Sequence, residues 1–129
     1  MIVTLRRSDT FIPAWNGNRE LPEGDQVKFH HKFLGSSDRK QFVYTKPIKF
    51  TQGGDEAANQ VGELEIITNG QGIALKTVTE IEGLTVSIED GGEVAITKVD
   101  EFYKYSLTGL ASELEAYMVE CSSVVDSKN

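Results

Sequence analysis

The last part of the sequence carries a helical stripe, and this stripe limits what the chain can fold into. Seven apolar or aromatic residues recur there at the spacing of one helix face: Leu107, Leu110, Leu114, Tyr117, Met118, Cys121 and Val125. We predict a helix from about Thr108 to Val125, which is stable only if other elements cover the stripe. Four of its side chains are predicted to close the core: Leu110, Leu114, Met118 and Cys121.

Strands are the elements predicted to cover that helix. Residues 26–33 alternate, which places Val27, Phe29, His31 and Phe33 on one face of a half-buried strand. Residues 84–97 alternate on both sides of Asp90-Gly91-Gly92, a pattern typical of a β-hairpin. Ile2–Leu5 and Ile48–Phe50 are predicted short strands. These patterns predict a single α+β domain over residues 1–129, in which a small antiparallel sheet from residues 1–50 and 84–97 carries helices on one face.

The connecting segments are read from their turn and helix signals. Residues 11–19 are predicted to form a structured loop anchored by Trp15, and residues 38–44 a helical turn that ends before Pro47. A short helix is expected between Thr97 and Tyr105.

Residues 60–80 admit two readings from the residues alone. A helical stripe fits six residues in and directly after this segment: Val61, Leu64, Ile67, Leu75, Val78 and Ile81. Asn69-Gly70, however, is a strong hairpin signal. Gly72 also weakens a helix by about 1 kcal/mol relative to alanine.

The net charge of −7 is unevenly distributed. Residues 1–50 carry nine Lys/Arg and five Asp/Glu, net +4, whereas residues 51–129 carry four and fifteen, net −11. A net-acidic chain is a poor nucleic-acid binder, so no nucleic-acid partner is predicted. The asymmetry indicates either two solvated faces of one domain or faces that attract a charged partner or further copies of the chain.

Compartment signals favour the cytoplasm. The single cysteine cannot form an internal disulfide, which suits a reducing compartment. Arg6 and Arg7 follow the opening apolar residues, which is the reverse of the order in a signal peptide. No apolar run approaches the roughly 20 residues of a membrane-spanning helix, so no membrane partner is predicted.

No pattern of reactive residues points to catalysis. His30 and His31 would point to opposite faces of a strand, so they are poorly placed to share a metal ion. Cys121 lies in the apolar stripe, where a thiol is expected to be inert. Gly70-Gln71-Gly72 lacks the rest of a nucleotide-binding loop, and Glu89–Glu93 reads as a turn and not a calcium loop. We therefore predict a non-enzymatic protein without cofactor or metal.

Aromatic residues are the candidates for partner binding. Tyrosine and tryptophan are enriched at interfaces because they are large, rigid and amphipathic. The alternative for each candidate is packing in the core or at its rim. The predicted partner-binding residues are Trp15, Phe102, Tyr103, Tyr105 and Tyr117.

Several short segments, spread over about residues 25–129, follow one another in a characteristic order. They are Phe33-Leu34 before Ser36-Ser37-Asp38-Arg39, Val78–Leu84, Asp90-Gly91-Gly92-Glu93-Val94, Ile96-Thr97, Phe102-Tyr103, Leu110, Glu113-Leu114, Cys121-Ser122-Ser123 and Lys128-Asn129. Together they resemble a known family, the small tail-assembly chaperones of long-tailed bacteriophages and prophages. Asn69-Gly70 and Gly72 depart from it, because the resemblance implies a helix over residues 60–80, and that helix is our expectation there.

The resemblance implies a virion-assembly factor that acts in the cytoplasm of a bacterial host. Proteins of this family bind the tape-measure protein, keep its long apolar helices from aggregating, and help tail-tube subunits to polymerise around it. The resemblance therefore implies tape-measure and tail-tube partners, with self-association as a further option. The alternatives are a structural tail or head–tail joining subunit that stays in the virion, and a small enzyme of unknown reaction.

Overall fold

The computed structural model describes residues 1–49 and 61–127. Its class is α+β, as predicted. The strands are β1 (Ser8–Phe11), β2 (Lys28–Lys32), β3 (Val43–Lys49), β4 (Val61–Thr68), β5 (Val78–Glu82), β6 (Leu84–Ile88) and β7 (Gly92–Ile96). The α-helices are α1 (Ser36–Arg39), α2 (Gly70–Thr77), α3 (Val99–Phe102) and α4 (Thr108–Ser127), with short 3-10 turns at Trp15–Glu20, Glu23–Asp25 and Lys40–Phe42.

The central sheet has the order β1-β2-β5 and is antiparallel throughout. Phe29 in β2 lies between Phe11 and Ile81 of the neighbouring strands, and all three side chains are buried. His31 is buried on the same face, which confirms the alternation predicted for residues 26–33. The strand itself begins at Lys28 and ends at Lys32.

The predicted composition of the sheet was wrong in one respect. β6 and β7 form the predicted hairpin, but among the described residues they pair only with each other and not with β1, β2 or β3. The third strand of the central sheet is β5, from the segment for which we expected a helix. Gly83 joins β5 to β6 with φ +76°, and a Cβ there would collide with the Gln26 carbonyl, so the tight connection requires glycine.

Residues 61–82 form a strand, a helix and a second strand, so neither single reading was right. β4 pairs with β3 into an antiparallel ribbon, in which Thr45 lies opposite Ile66. Asn69 does not turn a hairpin: its side-chain oxygen accepts a hydrogen bond from the Gly72 amide at 3.0 Å and caps α2. Gly70 allows α2 to cross α4, because a Cβ there would lie 2.8 Å from the Glu115 carbonyl oxygen.

A register shift explains why β5 resembles a helix in sequence. The pairing of β2 with β5 shifts between His30 and His31. As a result, Val78 and Ile81 are both buried although they are three residues apart. This spacing is the one expected of a helix face and not of a regular strand.

The C-terminal helix closes the core as predicted. Leu110, Leu114 and Met118 of α4 are fully buried, and α4 packs on Ile73 and Ala74 of α2 and on the sheet. Cys121 is only half-buried, so its predicted place in the core was wrong. It lies one turn beyond Met118, at the rim of the apolar stripe.

The structure also differs from the predictions for residues 2–5 and 38–50. Ile2–Leu5 is not a strand, because none of the described residues pairs with it. The helical turn after Gly35 ends at Phe42, and β3 then runs from Val43 through Pro47 to Lys49. Proline is tolerated there because a two-stranded ribbon leaves an edge of each strand unpaired. Phe50, which we had placed in this strand, lies outside the described residues.

The loop after β1 is held against α4, but its buried residue is Asn18, whereas Trp15, the predicted anchor, is 37% exposed. Asn18 donates to the Pro13 carbonyl at 2.8 Å and accepts from the Val27 amide at 2.7 Å. The Ala14 amide donates to Glu113 of α4 at 2.6 Å. These bonds fix the position of Trp15.

Candidate functional site

The most connected polar cluster lies where β2 meets α4. It consists of His31 from the strand and of Tyr117 and Cys121 from successive turns of the helix. The Tyr117 ring stacks on Phe11, with centroids 4.0 Å apart, and the His31 ring meets it edge to face at 5.2 Å. The stripe of α4 therefore presents not only apolar side chains to the sheet but also one hydroxyl and one thiol.

The hydrogen bonds of this cluster fix the tautomer of His31. Nδ1 lies 3.3 Å from the Lys32 carbonyl, which can only accept, so Nδ1 carries the proton. Nε2 then accepts the Tyr117 hydroxyl proton across 2.7 Å. Cys121 also hydrogen-bonds with Tyr117. The Tyr117 hydroxyl therefore links the Cys121 thiol on one side to the His31 imidazole on the other.

Each titratable group of the cluster is held in its neutral form. Burial lowers the pKa of His31 below its ordinary 6.5. Burial also raises the pKa of the Tyr117 phenol and that of the Cys121 thiol, and the bond from Tyr117 only partly offsets the effect on Cys121. A nucleophilic cysteine needs a lowered pKa and a base that takes its proton. Here the chain of bonds stabilises packing and supplies neither.

A small recess opens beside this cluster. It holds about 10 Å³, room for roughly one water molecule. Its walls come from β2 and the residues after it, from α2, and from α4: His31, Lys32, Phe33, Leu34, Ile73, Thr77, Met118 and Cys121. The recess is too small to enclose a substrate of ordinary size.

His30 takes part in a separate polar contact on the other face of the sheet. Its Nε2 donates to Glu82 at 3.1 Å, and its Nδ1 accepts from the Thr10 hydroxyl at 2.9 Å. The two neighbouring histidines thus serve different faces, as the alternation predicted. Within residues 1–49 and 61–127, no three histidine, cysteine or carboxylate groups come together as metal ligands.

The five predicted partner-binding aromatics do not form one surface. Phe102 is buried in the core against Phe29. Tyr117 faces the sheet, whereas Tyr103 donates to Glu115 at 2.9 Å. Positions 115 and 117 are about 200° apart around the helix, so these two tyrosines lie on different sides of α4. Tyr105 and Trp15 occupy two further places: Tyr105 is half-buried against the core beyond α3, and Trp15 is 37% exposed and lies over Gly109.

Apolar side chains that are more exposed than Trp15 lie in two other places, neither of which was among the predicted partner-binding residues. The first is the leading segment, residues 1–5, where Ile2 is 94% and Leu5 72% exposed. The second is the ribbon, formed by β3 and β4, where Tyr44 is 54% and Ile66 72% exposed. The β-branched run of the leading segment was visible in the sequence. The ribbon was missed because residues 61–68 were assigned to a helix.

Comparisons with protein-family models, with curated proteins and with solved structures gave no match. The resemblance to tail-assembly chaperones therefore stays a prediction. In the described part of the chain, α4 is the longest helix, and no helix combines the length and the apolar character needed to cross a bilayer.

Proposed function

We propose that this chain is a non-catalytic protein that binds other proteins during an assembly process. The observation that carries the proposal is the exposure of the leading segment and the ribbon. Exposed apolar side chains beside unpaired backbone favour contact with another chain. Single exposed apolar residues are ordinary, but here they are grouped in an unpaired segment and on a two-stranded ribbon.

The chemistry of the buried cluster is consistent with this proposal. The thiol is not activated, the imidazole is neutral, and both are joined in hydrogen bonds that stabilise the contact of β2 with α4. The recess beside them is about the size of one water molecule. These features favour binding over catalysis, since a reaction needs a group with a matched pKa and space for its substrate.

The partners that we propose are the tape-measure and tail-tube proteins of a long-tailed phage or prophage, in the cytoplasm of its bacterial host. This part of the proposal depends on the sequence resemblance alone. A structural tail or head–tail joining subunit is the second candidate. The ribbon favours it, because a pair of strands with an unpaired edge can join neighbouring subunits into a continuous sheet.

A pull-down from phage-producing cells, followed by mass spectrometry, tests the proposal. The full chain is tagged, and the wild type is compared with Ile66→Lys, which places a charge on the exposed ribbon. Thr85→Lys is the matched control, because Thr85 is also exposed on a strand of a two-stranded sheet. We expect tape-measure or tail-tube protein with the wild type and the control, and a loss of about tenfold with Ile66→Lys.

Recovery of neither tail protein would reject the phage role. Equal recovery with Ile66→Lys would reject the ribbon as the binding surface. Mass spectrometry of purified particles separates the two candidates, because an assembly chaperone is absent from the finished virion and a structural subunit is present.

A further inference from the structure

We propose that the leading segment of one copy of this chain adds as a third strand to β4 in the ribbon of a second copy. The proposal concerns contacts between copies and does not depend on the phage role. It follows from four properties of the chain: an open strand edge, an unpaired segment with strand character, a fitting register, and opposite charges on the two parts that would meet.

The open edge belongs to β4. One side of this strand pairs with β3 from Thr68 to Val61. No strand in residues 1–49 or 61–127 pairs with the other side. A two-stranded ribbon is only marginally stable in water by itself, and a third strand satisfies the unpaired amide and carbonyl groups of its edge.

The unpaired segment is the sequence Met-Ile-Val-Thr-Leu of residues 1–5. Ile2, Val3 and Thr4 are β-branched, which favours extended backbone and strand packing. The structure nevertheless leaves this segment outside all three of its sheets, and Met1, Ile2, Val3 and Leu5 are all strongly exposed. Strand addition to an open edge buries these side chains and pairs their backbone.

One antiparallel register fits both faces of the ribbon. In that register Val3 lies opposite Ile66, on the face that also carries Thr45 of β3. Ile2 then lies opposite Ile67 on the other face, beside Tyr44. A shift of one residue in either direction places Val3 or Leu5 beside Glu65, so apolar matching favours this register over the two adjacent ones.

The same register brings together parts of the chain that carry opposite charge. Arg6 and Arg7 directly follow the leading segment, and the first 50 residues carry a net charge of +4. β4 belongs to residues 51–129, which carry a net charge of −11. Contact between the leading segment of one copy and β4 of another is therefore favoured electrostatically before any side chains pack.

The short link from Leu5 to the body of the protein favours a second copy as the occupant. Antiparallel pairing puts residue 1 at the base of the ribbon, where Thr68 meets α2, and leads Arg7 toward the far end. In its own chain, however, the Arg7 carbonyl accepts from the Phe33 amide at 3.1 Å in the body of the protein. Two residues after Leu5 span only about 7 Å, so the Arg7 bond ties the segment closely to the body of its own chain, whereas the body of a second copy moves with its segment.

Site-directed disulfide formation tests this contact. Val3→Cys and Ile66→Cys are made in separate chains, each with Cys121→Ser so that no other thiol is present. Directly opposed positions have Cβ atoms about 4.5–5.5 Å apart, close enough for a disulfide after small adjustment. The two purified proteins carry tags of different size, are mixed, and are oxidised under mild conditions.

We expect a mixed dimer of the two differently tagged chains on a non-reducing gel. The matched control replaces Val3→Cys by Thr4→Cys, whose side chain points to the opposite face of the added strand. That pair should give about tenfold less product because its sulfur atoms cannot meet. Similar yields from the two pairs would overturn the register, and no mixed product from either would overturn the contact.

Two further measurements complete the test. A chain that carries both Val3→Cys and Ile66→Cys must link to other copies; an intramolecular disulfide at low concentration would show that the occupant is its own segment. Light scattering after size exclusion should show concentration-dependent association of the wild type that Ile66→Lys abolishes and Thr85→Lys retains. These experiments use the purified chain alone, so a failed pull-down of tail proteins leaves their outcome unaffected.

Discussion

At the scale of single residues, the contact between His31 and Tyr117 is the most informative feature. The two residues are 86 positions apart in the chain, yet they join the middle strand of the sheet to the closing helix through one hydrogen bond of 2.7 Å. Sequence periodicity placed both residues on inward faces. It could not show that they meet, because the pattern of one element contains no information about its partner in space.

Burial of His31 predicts a loss of stability in mild acid. The folded-state pKa is below 6.5, the value for the unfolded chain, so acid favours the unfolded state, which binds the proton more readily. The stability that neutral His31 contributes is fully present above pH 6.5 and is lost as the pH falls toward its folded-state pKa. Urea unfolding should show a decline of up to about 1.4 kcal/mol per pH unit below pH 6.5.

The measurement compares the wild type with His31→Gln and His30→Gln at pH 7.5 and pH 5.5. His30 lies on the other face of the sheet and is only half-buried, so its replacement should leave the acid dependence in place. His31→Gln should remove most of it. An unchanged pH dependence in His31→Gln would show that other groups cause the loss.

At the scale of elements, the sequence predicted those parts that follow one regular period. Residues 26–33, the hairpin of β6 and β7, and α4 each keep a single period and were located correctly. β5 was not, because the register shift beside His31 gives a strand the three-residue spacing of a helix. β4 was also predicted as helix, because its apolar residues continue the spacing of the helix α2 that directly follows it.

The cap of α2 gives a test at this scale. Asn69 accepts a hydrogen bond from the Gly72 amide, so Asn69→Ala should lower the free energy of unfolding by about 1 kcal/mol. Asn69→Asp keeps an acceptor at the same place and should restore most of the loss. Urea unfolding measures both. Equal losses in the two variants would mean that the side-chain acceptor does not stabilise the helix. The backbone bond from the Asn69 amide to the Phe42 carbonyl is the same in both variants.

At the scale of the whole molecule, α4 is the element on which the other parts depend. It packs against α2, contacts the loop that carries Trp15, and presents its stripe to the central sheet. The fold class was predictable because an apolar helix face is stable only when other elements bury it, and the alternating segments predicted strands with a matching apolar face. The division of the strands into three separate sheets was not, since strand pairing depends on contacts that no local pattern records.

Leu114→Ala tests the central place of α4. Leu114 is fully buried, so its truncation should cost ~2–5 kcal/mol in the free energy of unfolding measured with denaturant. Leu75→Ala is the matched control, because Leu75 lies on α2 but is 44% exposed, whereas Leu114 is fully buried. It should cost less than about 0.5 kcal/mol. A similar small loss for Leu114→Ala would remove that residue from the core.

The position of the single tryptophan gives the protein an optical reporter of its own. Trp15 lies over Gly109 with its indole partly shielded, and the chain contains no second tryptophan. Its emission therefore records one event, the seating of the 3-10 turn Trp15–Glu20 on the first turn of α4. Stopped-flow fluorescence can follow that seating directly, while circular dichroism follows the helices, so a difference between the two time courses would reveal the order in which they form.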